Sequence, residues 1–221
     1  AVEKHNRLCR VITGIGDLRK LPDPPITGYE FHVIQLVSQV CPHDLILPYL
    51  EETLEELRTR MPEAKFPFRA RVVLAGSEID DPAFTKLLEM CGAMVVADRY
   101  CFGSFPSREE IGIRPGRHYL HTNQCARFMS GDKIDQRHRE LERLVREFHA
   151  DGIIYESMKF CEFWSYEKVL ASHVLQNELN VPCCTIEKEY TLGSAGQLRT
   201  RFQAFVESLE IKKIQRERGA K

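Results

Sequence analysis

The chain has 221 residues, with 31 Lys and Arg against 32 Asp and Glu, and its formal net charge is −1. This balance excludes the excess of positive charge with which proteins bind nucleic acids or anionic membranes. Hydrophobic residues make up 43% of the chain and charged residues 29%, as is usual for a water-soluble globular protein. We therefore expect a globular protein with a substantial core and with neither a nucleic-acid nor a membrane surface.

The number of cysteines and the N-terminal sequence indicate the cellular compartment of the protein. No window of 18 consecutive residues is apolar, and the N-terminus lacks the pattern of a signal peptide, so we expect a cytoplasmic protein. Eight cysteines would suggest disulfides in a small secreted domain, but this chain has enough core residues to do without them. Reduced thiols, some of them metal-bound, fit better. Because the chain begins at Ala1, inside a predicted helix, we also expect a further piece before it.

Residues 1–65 are predicted to be mainly helical. Apolar residues recur at helical spacing in 1–20, and the proline-rich stretch 21–25 ends that helix. Residues 28–40 form an apolar segment of uncertain type, and 48–60 carry leucines at helical spacing. We expect this part to be a linking segment, connected to an N-terminal domain that is absent here.

Residues 66–221 are predicted to form an α/β domain. Strands at 71–75 and 93–97 flank a helix that begins at Asp81-Pro82, and such a unit implies parallel strands. The alternation continues with helix 135–149, strand 152–155, helix 166–179, strand 181–186 and a helix near 195–215. The basic residues from Lys212 onward are expected to fray. The fold expected is Rossmann-like, an open and mainly parallel sheet with helices on both faces.

Two cysteines follow predicted strands in the same way. Cys101 comes after strand 93–97, and Cys161 comes after strand 152–155. The carboxyl ends of parallel strands form the edge where open α/β sheets bind ligands, so both thiols are expected at one rim. Thiolates are the soft ligands that hold iron–sulfur clusters. The alternative is that both side chains are small buried hydrophobic groups.

The other cysteines have different surroundings in the sequence. Core packing is expected for Cys91, Cys183 and Cys184, and a structural role for Cys9 and Cys41. Cys125 lies in a long irregular segment and could approach the rim. Because an iron–sulfur cluster normally has four cysteine ligands, Cys101 and Cys161 cannot complete one by themselves.

Further motifs give weaker indications. His118 and His121 could act as proton donors near the rim, although solvated loop histidines are commoner. Residues 76–78 could offer backbone N–H groups to an anion, or simply form a turn before the next helix. The chain has neither a G-x-G-x-x-G nor a Walker-type motif, so any ATP is expected on another protein. The catalytic residues stay unassigned.

Four stretches carry a family resemblance. They are 73–78, 92–103 with the run Asp98-Arg99-Tyr100-Cys101-Phe102-Gly103, 151–161, and 196–205. In this order they resemble the family of 2-hydroxyacyl-CoA dehydratases and ATP-dependent (class I) benzoyl-CoA reductases. The resemblance covers most of 66–210 and, more loosely, 1–65 through residues 24–28.

The resemblance implies a low-potential iron–sulfur enzyme subunit that acts on an acyl-CoA. It implies that Cys101 and Cys161 ligate a [4Fe–4S] cluster, with a third protein ligand from outside this chain segment. It also implies two partners, namely a related second subunit of the same family and an ATP-hydrolysing iron–sulfur activator.

The amino-acid sequence of residues 99–104 is closer to the reductase branch of that family than to the dehydratase branch. Our main hypothesis is therefore the iron–sulfur subunit of an oxidoreductase of the benzoyl-CoA reductase type, which transfers single electrons to an acyl-CoA. One alternative is a subunit of a 2-hydroxyacyl-CoA dehydratase, a lyase that dehydrates through radical chemistry. Another is an electron-relay subunit without its own substrate site. A metal-free α/β scaffold is the third.

Overall fold

The structure is a computed structural model, which describes residues 2–61, 67–104, 110–111, 113–114, 117–118, 134–178, 180–190, 193 and 195–219. Within these ranges it is an open α/β fold preceded by helices, which confirms the predicted fold class. No helix in the described part of the chain is both long and apolar enough to cross a membrane.

The N-terminal part consists of helices. They are α1 (Val2–Asp17) with a 3-10 turn (Leu18–Lys20), α2 (Gly28–Val40) and α3 (His43–Thr59). The segment of uncertain type is thus a helix, and it begins with a capping box in which the Thr27 side chain accepts from the N–H of Glu30 and the Glu30 side chain accepts from the N–H of Thr27. Aliphatic side chains of the three helices form their own core. The predicted division of the chain into 1–65 and 66–221 stays a prediction.

Four parallel strands form the sheet. They are β1 (Ala70–Gly76), β2 (Ala93–Arg99), β5 (Gly152–Met158) and β6 (Cys183–Lys188), in the spatial order β2-β1-β5-β6. β3 (Ile113–Arg114) and β4 (Arg117–His118) form a separate antiparallel pair. The two strands that precede Cys101 and Cys161 therefore lie on either side of β1.

Helices cover both faces of this sheet, as predicted. On one face α4 (Pro82–Met90) and α7 (Ala195–Gly219) pack on the sheet, through Phe84, Leu88, Leu198, Phe202 and Val206 among others. On the other face lie α5 (Ile134–Glu147) and α6 (Glu162–His173), through Leu141, Leu144, Trp164 and Ala171. We call the second side the α5/α6 face.

The structure extends several elements beyond their predicted ends. β2 and β5 run on through Asp98, Arg99 and Glu156, because these buried charges have partners inside the protein. α6 begins at Glu162 rather than 166, and a π-helical turn (Val174–Glu178) follows it. The expected fraying from Lys212 is wrong: α7 continues to Gly219, since Lys and Arg are good helix formers and favour a helix C-terminus.

The helical segment docks on the α/β part through buried polar groups. The carboxylate of Glu89 in α4 accepts the backbone N–H groups of Gly28, Tyr29 and Val95, at 2.8, 3.1 and 3.2 Å. Burial raises the pKa of Glu89 to about 7, although these donors act in the opposite direction. His32 in α2 contacts Thr85 at 2.9 Å. The first turn of α2 is therefore anchored directly to α4 and β2.

Gly28 sits where this docking leaves no room for a side chain. A Cβ at this position would lie 2.5 Å from the Cβ of Val95 and 2.7 Å from its carbonyl oxygen.

Gly28→Ala should lower the free energy of unfolding by about 1–3 kcal/mol, because α2 must move away from β2. Gly196, at the start of α7, has nothing within 4 Å of a Cβ. Gly196→Ala should leave stability unchanged or raise it by up to about 1 kcal/mol. Guanidinium unfolding monitored by circular dichroism compares the two, and equal values would contradict this packing.

Candidate functional site at the cysteine rim

The structure places Cys101 and Cys161 at one edge and on one face of the sheet. Cys101 lies in the turn that follows β2, and Cys161 is the N-cap residue of α6, after β5. Both side chains are half-buried and pack against the core of the α5/α6 face. The shared edge was predicted from the parallel direction of the strands that precede the cysteines, whereas the shared face required the structure. We call this edge, with its residues Ser77, Cys101 and Cys161, the cysteine rim.

Ser77 lies between the two cysteine turns. Its carbonyl oxygen accepts the backbone N–H of Cys101 at 3.1 Å. Its hydroxyl oxygen accepts the backbone N–H of Met158 at 2.8 Å, and the carbonyl of Met158 accepts the N–H of Cys161 at 3.1 Å. The ends of β2, β1 and β5 are thus joined by hydrogen bonds through one residue.

The turn that carries Cys101 is closed by the buried carboxylate of Asp98. Asp98 Oδ2 accepts the backbone N–H of Ser104 at 2.6 Å, and the N–H of Gly103 donates to the carbonyl of Tyr100. A Cβ on Gly103 would lie 2.3 Å from Asp98 Oδ2, so the turn closes this tightly only around glycine. On the other side of Asp98, Arg19 donates to Oδ1 at 3.1 Å.

The turn that carries Cys161 has an unusual backbone. Phe160 has a φ of +65°, a conformation that costs a bulky residue energy, and its side chain is 98% exposed. The N–H of Lys159 donates to the carbonyl of Lys188 at 2.8 Å, which ties this turn to β6. Cys161 then begins α6, whose first N–H groups carry partial positive charge. The turn therefore presents the thiol beside the positive end of a helix.

Buried cations lie on the same face of the sheet. Arg99, two residues before Cys101, is fully buried, donates to Glu140 at 3.2 Å and lies 5.8 Å from the ring of Trp164. Arg137 donates twice to Glu167, at 2.8 and 2.7 Å. Each of these guanidinium groups is thus paired with a carboxylate from a helix of the α5/α6 face.

Four further cysteines of the described part of the chain, Cys9, Cys91, Cys183 and Cys184, do not resemble ligands. Cys91 and Cys184 contact the core beneath α4 and α7, and Cys183 contacts the opposite core, which agrees with the packing expected for them. Burial raises the pKa of Cys183 to about 12 and that of Cys9 to about 11, so both stay protonated at neutral pH. Cys125, His121 and the side chain of His118 lie outside the described residues.

In the turn after β1, the N–H of Ser77 is bound inside the protein and not offered to an external anion. The N–H of Ser77 donates to Glu156, to the backbone oxygen at 3.2 Å and to the carboxylate Oε2 at 3.1 Å. The sequence alone did not reveal this internal carboxylate, because Glu156 is distant from residues 76–78 in the chain. It also lies just beyond the predicted end of the strand 152–155, whereas β5 continues to Met158. Among the residues that the structure describes, no group of three or more His, Cys, Asp or Glu is placed to hold a metal ion.

Comparison with known proteins adds the family. Residues 1–209 match the family described as 2-hydroxyglutaryl-CoA dehydratase, D-component. The chain belongs to this dehydratase family. It is also similar to "Putative dehydratase subunit YjiM" of Escherichia coli (strain K12), at 24% identity over 216 residues, which is 95% of this chain and 56% of that protein. The chain thus spans little more than half the length of this curated relative.

Membership of the dehydratase family confirms the family resemblance found in the sequence. The family description and the relative's name both refer to dehydratases. They therefore favour the alternative hypothesis, a dehydratase subunit, over the main hypothesis of a benzoyl-CoA reductase.

Removal of the Asp98 carboxylate should destabilise the protein strongly. Asp98→Ala leaves the buried guanidinium of Arg19 without this carboxylate and should lower the free energy of unfolding by about 3–5 kcal/mol. Glu55, which pairs with Arg58 on the exposed face of α3, is the matched control. Glu55→Ala should cost less than about 0.5 kcal/mol, as exposed pairs do. Denaturant unfolding measures both, and a small cost for Asp98→Ala would show that the buried Asp98 carboxylate does not stabilise the protein through Arg19 and the Cys101 turn.

Proposed function

We propose that this chain is the part of a 2-hydroxyacyl-CoA dehydratase subunit that holds an iron–sulfur cluster through Cys101 and Cys161. The observation that carries the proposal is the arrangement of these two half-buried thiols at one edge and on one face of the sheet, in a chain of the dehydratase family. Neither thiol belongs to a local motif, so only the fold relates them.

The donor set suits such a cluster. Thiolates are its usual ligands, and an apolar surround beside buried cations tunes its potential. When bound, the cluster would supply a low-potential electron and an iron site able to polarise a thioester oxygen. The chain itself holds the two thiolates in fixed turns, and Trp164 and the other core side chains beneath the cysteine rim exclude water from below. Arg99 and Arg137 lie on the same face of the sheet, and each is paired with a carboxylate, that of Glu140 and that of Glu167.

Two thiolates are fewer than a [4Fe–4S] cluster needs, and we propose that a third protein ligand comes from outside this chain segment. We propose the same two partners as the family resemblance implies, a related second subunit and an ATP-hydrolysing iron–sulfur activator. Support for ATP binding by a separate partner comes from the sequence given, in which neither a G-x-G-x-x-G nor a Walker-type motif occurs. The proposed substrate is a 2-hydroxyacyl-CoA.

The second candidate is an acyl-CoA reductase of the benzoyl-CoA reductase type. It is favoured by the amino-acid sequence of residues 99–104, which comprise the last residue of β2 and the Cys101 turn. Both candidates need the same cysteine rim, so the rim cannot distinguish them. A pure electron-relay subunit would need it as well.

Iron analysis tests the cluster directly. The full-length protein, purified anaerobically, should contain iron and acid-labile sulfide and should absorb broadly in the visible range. Cys101→Ser and Cys161→Ser should each lose most of this iron, because each removes a thiolate ligand. Cys183→Ser is the matched control, since its thiol is half-buried against the same core but lies at the start of β6, away from the rim, and stays protonated. Wild-type protein that stays colourless and iron-free after anaerobic reconstitution would refute the cluster.

Substrate titration separates the candidates. In the reduced complex, a 2-hydroxyacyl-CoA should change the EPR spectrum of this subunit's cluster and yield the corresponding enoyl-CoA, detected by mass spectrometry. An aromatic acyl-CoA should do neither. Turnover of the aromatic acyl-CoA instead would favour the reductase, and turnover without any EPR change in this subunit would favour the relay.

A further inference from the structure

A single serine joins the two cysteine turns. Ser77 follows the central strand β1 and is 1% exposed. On one side its carbonyl oxygen holds the N–H of Cys101. On the other side its hydroxyl oxygen holds the N–H of Met158, whose carbonyl in turn holds the N–H of Cys161. The positions of both cysteine backbones therefore depend on where Ser77 lies.

The position of Ser77 is set by Glu156 in β5. The carboxylate oxygen Oε2 of Glu156 accepts both the hydroxyl of Ser77, at 2.7 Å, and its backbone N–H, at 3.1 Å. Because the hydroxyl hydrogen points to Glu156, the lone pairs of Oγ are left for the N–H of Met158. The carboxylate thereby orients the hydroxyl that holds the Cys161 turn.

The approach of β1 to β5 at this point requires glycine before the serine. Gly76 has a φ of +145°, and a Cβ there would lie 2.1 Å from the carbonyl oxygen of Glu156. A backbone conformation this restricted keeps Ser77 within reach of the carboxylate. The Gly-Ser pair is thus built for a close contact rather than for a flexible turn.

Glu156 is fully buried, and in the part of the chain that the structure describes one cation lies within ion-pair range of its carboxylate. The ammonium of Lys188 in β6 lies 3.8 Å from Oε1, too far for a hydrogen bond, and Oε1 has no hydrogen-bond partner among the described residues. Burial raises the pKa of Glu156, while the hydroxyl of Ser77 and the charge of Lys188 act to lower it. The hydrogen bonds to Ser77 are therefore the closest polar contacts of this carboxylate.

We propose that Ser77 and Glu156 are positioning residues, which fix the spacing of Cys101 and Cys161 so that both thiols reach one cluster. The inference rests on the proposed function, because the cluster is the reason for a fixed spacing. It goes beyond that function in assigning the spacing to one hydroxyl and the carboxylate that orients it.

The test uses four variants of the full-length protein. Ser77→Ala removes the hydroxyl, and Glu156→Leu removes the carboxylate. Glu156→Gln keeps an oxygen that can accept from Ser77 but removes the charge, so it separates hydrogen bonding from charge. Thr85→Val is the matched control, since it removes a buried hydroxyl that binds His32 on the far side of the sheet from the cysteines.

Two measurements are made on each variant. The first is iron content with the EPR spectrum of the reduced protein. The second needs no cluster: the iron-free protein is treated with dibromobimane, which bridges two nearby thiols, and the peptide that links Cys101 to Cys161 is quantified by mass spectrometry. Far-UV circular dichroism checks that each variant is folded.

Ser77→Ala and Glu156→Leu should bind iron about tenfold more weakly than wild type and give less bridged peptide, as expected for groups that orient ligands. The EPR spectrum of the remaining cluster should change. Glu156→Gln should stay within about twofold of wild type in iron binding, because it retains the hydrogen-bond acceptor. Thr85→Val should match wild type in every measurement.

Several results would overturn the inference. One is a Ser77→Ala protein whose iron content, EPR spectrum and bridged peptide are all unchanged from wild type. Another is a Glu156→Gln protein that loses as much iron as Glu156→Leu, because this would indicate a role of the charge alone. A Ser77→Ala protein that fails to fold, while Thr85→Val folds, would show a role in folding instead. Iron-free wild-type protein would refute the proposed function alone, and the bridging measurement would still decide whether Ser77 sets the spacing.

Discussion

The arrangement of the chain depends on the hydrogen bonds and the ion pair that the buried carboxylate of Asp98 forms. One of its oxygens binds Arg19 from the N-terminal helical segment, and the other closes the turn of Cys101 through the N–H of Ser104. Gln35 in α2 reaches the same carboxylate at 3.2 Å. Because an unpaired buried charge costs several kcal/mol, the helical segment, the end of β2 and the cysteine turn stabilise one another in a single arrangement.

The last two residues of β2, Asp98 and Arg99, carry opposite charges and point to opposite faces of the sheet, since successive residues of a strand face opposite ways. Asp98 points to the helical segment, whereas Arg99 points to Trp164 on the α5/α6 face, where both cysteines lie. Asp98 therefore binds the helical segment, and Arg99 pairs with Glu140 on the α5/α6 face. Charged side chains at the end of β2 therefore bind partners on both faces of the sheet.

The two cysteine turns are held by different means. The Cys101 turn is closed by a side chain, the carboxylate of Asp98, and it requires Gly103 at its tightest point. The Cys161 turn contains the strained residue Phe160 and depends on backbone hydrogen bonds to Met158 and Lys188. Ser77 connects both turns at the end of the central strand, so the rim is a single hydrogen-bonded unit.

The sequence by itself determined the α/β class, the alternation of elements and the two thiols at one sheet edge, because β-branched runs, helix caps and strand order are local or topological signals. It placed the ends of β2 and β5 too early, since the charges of Asp98, Arg99 and Glu156 are typical of strand ends unless buried partners exist. Those partners, Arg19, Glu140 and Ser77, lie far away in the chain. Only the tertiary structure decided which face the thiols share and what holds them, because contacts between distant residues leave no periodic pattern in the sequence.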